Sequence, residues 1–207
     1  MKQQYDRVED ILQWIRPHME DCFQESCREI EKKLNDQGSA MWKDLCGVVQ
    51  EALVKTVDMQ EQNQKGKVAY LVCSFLQRGV YLNKLLLRIE TLDESFYLDE
   101  QETVGYCCLQ LLQENYQRDL EFLHQKVNKE FVRVQDYELD EVDKAYTEYY
   151  NAVVCMIVQS VSGLLMRVVA ESGIRLLDIF QIIYGQYMGN ATVVYTREKN
   201  GDGVFTD

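Results

Sequence analysis

The chain has 207 residues, 46% hydrophobic and 27% charged, with a formal net charge of -12 at pH 7. That is enough apolar chain to bury a core, which excludes an intrinsically disordered polymer. With 22 basic residues against 34 acidic ones, extended phosphate neutralisation is excluded, and no direct nucleic-acid binding is expected.

The first ten residues (MKQQYDRVED) hold no apolar signal core, so a cytoplasmic, reducing setting is expected. The seven cysteines are odd in number and include no Cys-x-x-Cys pair. Most stand singly at apolar helical positions, where a free thiol behaves as a small hydrophobe, and all seven are predicted to be free.

In chain order, the first predicted helix covers about 4–34, on the stripe Val8, Ile11, Ile15, Met19, Phe23, Ile30 and Leu34. Pro17 lies inside it, but the stripe keeps its phase, so a kink is expected there and not a break. Asn35, Gln37 and Gly38 are read as its end, and Ser39 as the cap of a second helix through Met41, Leu45, Val49, Leu53 and Val57. The polar run 60–67 closes that helix. Segment 68–78 fits a short helix, although its β-branched residues also fit a strand.

From 84 to 91, Leu85, Leu87, Ile89 and Thr91 alternate with Leu86, Arg88 and Glu90, the period of a strand. Asp99 with Glu102 three residues on resembles a capping box, and a third long helix is expected from there to Phe131.

The fourth long helix, about 141–171, contains 18 uncharged residues from Tyr149 to Met166. Its composition allows a core helix or a membrane span. Asn151, Gln159, Ser160 and Ser162 lower its hydropathy, and Asp140, Glu141, Asp143 and Glu148 precede it, so a nearly fully buried core helix is predicted and no membrane association. Gly163 is expected to admit a close neighbour, and Gly173 to cap the C-terminus. Period two returns at 179–184 and 192–197, a hairpin around Met188-Gly189-Asn190. The predicted fold class is therefore α+β and predominantly helical. Four long helices and one short one are expected around a buried centre, the 141–171 helix, itself the fourth of the long ones, with a small antiparallel sheet from 84–91, 179–184 and 192–197. Residues 1–197 are expected to form a single domain, with a frayed polar tail over 198–207.

Catalytic motifs are sparse. His18 and Cys22 stand one helical turn apart, and Glu121 and His124 form an E-x-x-H. Each is half of a metal constellation: structural zinc takes four ligands, and a di-iron bundle uses the E-x-x-H twice. No G-x-S-x-G, phosphate-binding glycine loop or calcium loop is present in the sequence. No catalytic residue, metal or cofactor is therefore assigned. The leading expectation is a non-enzymatic interaction or accessory protein acting through an acidic, tyrosine-containing surface. The alternatives are a metal-dependent enzyme using helix-borne carboxylates and a histidine, and an acidic mimic of nucleic acid. The expected partner is another protein or a second copy of the chain. Its contact residues are expected at the hairpin, namely Tyr184, Tyr187, Met188 and Tyr195, because tyrosine and methionine favour interface centres.

Overall fold

The computed structural model describes residues 7–76, 84–187, 189–199 and 205–206. The fold is α+β and dominated by helix, as the periodicities predict, but the elements are divided differently. Three long helices are described: α1 (Arg7–Glu61), α2 (Gln110–Glu130) and α3 (Asp136–Glu171). Strands β1 (Val68–Phe75), β2 (Leu86–Leu92), β3 (Val104–Cys108), β4 (Leu176–Gln186), β5 (Ala191–Lys199) and β6 (Phe205–Thr206) complete it.

The first two predicted helices are one helix of 55 residues. Gly38 and its neighbours do not break it, because the buried stripe runs in phase across them, from Ile30 to Met41, Leu45 and Val49. A helical glycine costs only about 1 kcal/mol, less than burying one such side chain returns. Segment 68–75 is a strand and not the short helix: its residues are almost all buried, as in a strand covered on both faces. The third helix starts at Gln110, not Asp99. The stretch before it is a 3-10 turn (Phe96–Leu98) and then β3.

The chain divides into two compact units. The first comprises 1–38, 77–85 and 110–153, and its helical parts form a bundle. Ile11, Ile15, Met19 and Ile30 of α1, Leu112, Tyr116, Leu120 and Leu123 of α2, and Val142, Tyr146 and Tyr150 of α3 are among its buried side chains. Arg7 ties down the loop between α2 and α3, donating to the Val132 carbonyl at 2.8 Å and pairing with Glu138 at 3.0 Å. Glu138 in turn accepts the Gln135 N–H at 2.8 Å, a capping contact at the start of α3.

The second unit comprises 39–76, 86–109 and 154–207 and holds the six-stranded sheet, in the order β3-β2-β1-β4-β5-β6. The predicted hairpin is β4–β5, but the sheet is mixed. β1 lies between β2 and β4, antiparallel to the first and parallel to the second. Of the residues expected to fray, Glu198 and Lys199 continue β5, and Phe205 and Thr206 pair beside them. Gln60 fastens the end of α1 to this sheet. Its amide donates to the carbonyls of Gly66 (2.6 Å) and Arg175 (3.0 Å) and accepts the Arg175 N–H at 2.8 Å.

The helix predicted to be nearly fully buried is buried on one side only. Val153, Val154, Ile157, Val158, Val161 and Leu165 are buried, whereas Met156 and Leu164 are exposed. Among the described residues it is the one helix long and apolar enough to cross a membrane, and half of its apolar window is buried. Gly163 admits no close neighbour, since a Cβ there would meet nothing within 4 Å. Gly173 does end α3, with a φ of +77° that glycine takes readily.

Candidate functional site

The sheet has one face turned to the helices and one turned away. Thr91 of β2 meets Thr56 of α1 at 2.7 Å, and a Cβ on Gly105 of β3 would lie 2.7 Å from Val48 Cγ1. Leu87, Ile89 and Thr91 therefore face α1, and strand alternation puts Arg88 and Glu90 on the opposite face.

Two cross-strand rows define that opposite face. One runs Tyr106, Arg88, Ser74, Gly185 and Ala191; the next runs Val104, Glu90, Val72, Ile183 and Val193. Small residues at the middle of the first row leave room for Tyr187, whose ring centroid lies 4.6 Å from the Arg88 guanidinium carbon. In the second row Glu90 is a carboxylate among apolar neighbours and is only 3% exposed. Farther along, Val72, Leu92 and Ile183 pack with Tyr70 and Phe96, so the 3-10 turn covers that part of the face.

Arg88 donates to Glu90 Oε2 at 2.8 Å and lies 3.6 Å from Glu102 Oε1. Burial opposes the Arg88 charge, but the hydrogen bond and charge of Glu90 outweigh it and its pKa is raised. The second Glu90 oxygen, Oε1, is buried with no hydrogen-bond partner among the described residues. Leaving a buried acceptor unmatched costs about 1–3 kcal/mol. Two exposed rings stand beside Arg88: Tyr106 opposite it on β3, 59% exposed, and Tyr187 stacked on it, 38% exposed. One guanidinium against two carboxylates leaves the patch net negative.

The structure separates the four residues expected at a partner surface. Tyr187 is on this face. Tyr184 is buried and pairs with Cys73, facing the helices. Tyr195 lines a cavity against α3. Met188 lies outside the described residues. Sequence reasoning missed Arg88, Glu90 and Tyr106. The 84–91 alternation already set Arg88 and Glu90 apart from the apolar face. Tyr106 was hidden because 104–108 reads as the start of a helix.

The half-sites for a metal are not brought together into a fuller one. His18 stacks on Trp14 with ring centroids 4.8 Å apart. Glu121 is exposed. His124 Nε2 lies 2.5 Å from Asp143 Oδ1. Among the described residues no group of three or more His, Cys, Asp and Glu side chains is placed to hold a metal.

The first unit holds a denser polar cluster. Asp119, 2% exposed, accepts at one oxygen from Ser26 (2.5 Å), Tyr146 (2.7 Å) and Tyr150 (3.0 Å). Burial raises both tyrosine pKa values, and the Asp119 charge raises them further. The Cys22 thiol beside it is pushed up to about 11 by burial and then by Asp119. Three hydroxyl donors saturate that oxygen, so this cluster is a fastening between α1, α2 and α3 and offers a ligand nothing. Two further carboxylates act locally: Asp99 accepts the Gln101 N–H within its loop, and Glu138 caps α3.

No family model, no curated protein and no solved structure matches this chain.

Proposed function

We propose that the protein is a non-enzymatic binding module that takes a basic, extended polypeptide segment across the sheet face bearing Tyr106, Arg88, Glu90 and Tyr187. The observation that carries this reading is the net-negative group of Arg88, Glu90 and Glu102 beside two exposed aromatic rings, Tyr106 and Tyr187. A Lys or Arg donor from a partner pairs with the exposed Glu102 carboxylate of this patch, Glu90 adds negative charge beneath it, and the rings supply apolar contact at little entropic cost. The net charge of -12 adds long-range attraction for a basic partner.

The free edge of β3 is a less suitable platform. Lys55 of α1 already donates to the Val104 carbonyl at 3.3 Å, which occupies one acceptor that an added strand would need. The setting we assign is the cytoplasm, on the ground that all seven cysteines are free thiols in the structure.

Selection from a displayed random-peptide library against the full chain tests the reading. Enriched sequences carry Lys or Arg flanked by apolar residues, and Tyr106→Ser weakens their binding about tenfold, or about 1.4 kcal/mol, without moving the unfolding midpoint. Glu90→Gln weakens it by a similar factor. Enrichment of acidic peptides, absence of enrichment, or binding indifferent to both substitutions overturns the proposal.

A further inference from the structure

The sheet face bearing Arg88 and Glu90 is not open along its whole length. The segment from Asp93 to Asp99 folds over it, and its 3-10 turn seats the Phe96 ring on Val72, Leu92 and Ile183. The ring meets Tyr70 edge-on, with centroids 5.0 Å apart. We infer that Phe96 is a placeholder in an aromatic side-chain pocket of this face, displaced when an aromatic residue of the bound basic segment takes its seat. The segment recognised then reads Lys or Arg, any residue, aromatic. This rests on the basic-segment reading and adds a second subsite to it.

Phe96 is held where its backbone does not favour it. Its φ is +55°, in the left-handed region where a bulky side chain is strained. Glycine takes that conformation freely, whereas a phenylalanine keeps it here because its ring is anchored in the apolar hollow. The segment's own hydrogen bonds are local. The N–H groups of Phe96, Leu98 and Asp99 donate to the carbonyls of Asp93 (3.2 Å), Ser95 (3.1 Å) and Phe96 (3.0 Å), and the Ser95 N–H to the Asp93 carboxylate (2.8 Å). Glu94, Ser95 and Leu98 are exposed. The two ends, by contrast, are fixed, since Asp99 accepts the Asp93 N–H at 3.0 Å and is paired with the buried Lys65. A loop with pinned ends and a strained, solvent-facing middle opens locally without disturbing the sheet.

The hollow adjoins the charged patch. Val72 is the cross-strand partner of Glu90, and Leu92 follows Glu90 by two residues on the same face of β2. Same-side residues of an extended segment are also two apart, or about 7 Å. A Lys or Arg at the Glu90 and Glu102 carboxylates therefore sets the residue two further on over the hollow, where an aromatic ring finds the contacts that Phe96 now makes.

Titration of the full chain with the blocked peptide Thr-Lys-Thr-Phe-Thr-Lys-Thr, and with the same peptide carrying Ser for Phe, tests the inference. The Phe peptide is expected to bind about tenfold tighter than the Ser peptide. Phe96→Ala empties the hollow and is expected to strengthen binding of the Phe peptide about tenfold. Hydrogen exchange of the parent chain gives a second measurement that needs no variant. Bound Phe peptide is expected to speed exchange over residues 93–99 several-fold, because the displaced segment loses its hydrogen bonds; a ring that only walls the site becomes covered and exchanges more slowly. Slower exchange, equal affinity for the two peptides, or a Phe96→Ala chain that binds the Phe peptide no tighter overturns the inference and leaves the basic-segment reading standing. Failure of both peptides to bind either chain overturns that reading and the inference with it.

Discussion

The Lys65 ammonium lies 2.5 Å from Asp99 Oδ2, and the two side chains are 0% and 2% exposed. The pair joins the loop after α1 to the loop between β2 and β3. Lys65 also donates to the Gln101 carbonyl (2.7 Å), and Asp99 accepts the backbone N–H groups of Asp93 (3.0 Å) and Gln101 (2.9 Å). Removing one member of such a pair leaves a buried charge without compensation, at a cost of about 3–5 kcal/mol. Lys65→Met is therefore expected to lower stability by about that amount in urea unfolding followed by circular dichroism. Adding Asp99→Asn removes the orphaned charge and restores part of the loss. A double variant less stable than Lys65→Met alone contradicts this account.

Two glycines make opposite predictions. Gly163→Ala adds a methyl to open space on a helix and is expected to raise stability by about 0.5–1 kcal/mol. Gly185→Ala puts a Cβ 2.3 Å from the Asn190 carbonyl oxygen, which belongs to the backbone and has little room to shift. It is expected to lower stability by about 1–3 kcal/mol. Thermal unfolding of both variants beside the parent decides the matter, and a shift of the same sign in both rules it out.

What the sequence made legible follows from how locally each feature is determined. The α3 stripe, the β4–β5 turn and the Gly173 cap depend on neighbouring residues, and the expected elements stand there; the α1 stripe is helical as expected, without the break expected at 35–39. β1 was ambiguous because a strand buried on both faces loses its alternation, and only its partners β2 and β4 reveal the parallel pairing. Asp99 looked like a helix cap because Glu102 has capping-box spacing, yet its carboxylate is spent on Lys65. The site depends on the register of four strands. Arg88 and Glu90 could be seen to share a face, but that Tyr187 closes over Arg88 could not be read from spacing. Tyr184 and Tyr195 look equivalent to Tyr187 in composition and differ only in which side of the sheet they occupy.

Alkaline pH is expected to destabilise the fold from about pH 9 upward. Burial raises the thiol pKa values from an ordinary 9.0, to about 11 for Cys22 and Cys107 and to about 12 for Cys73. Burial likewise lifts Tyr116 from 10.0 to about 12, although its hydrogen bond with Thr147 acts in the other direction. In each case the folded chain keeps a proton that the unfolded chain releases. The contribution to stability is therefore full below the unfolded pKa and is lost as pH rises towards the folded one. For the thiols the window opens at pH 9, and for Tyr116 it runs from 10 to about 12. Urea midpoints at constant ionic strength should be steady from pH 7 to 8.5 and then fall. General charge repulsion also grows in that range, so the decisive comparison is with Tyr116→Phe, which has no proton to lose. Its midpoint starts lower, because Thr147 loses a partner at 2.8 Å, but it falls less steeply above pH 10 than the parent. Parallel slopes above pH 10 in the two proteins would show that Tyr116 does not carry this dependence.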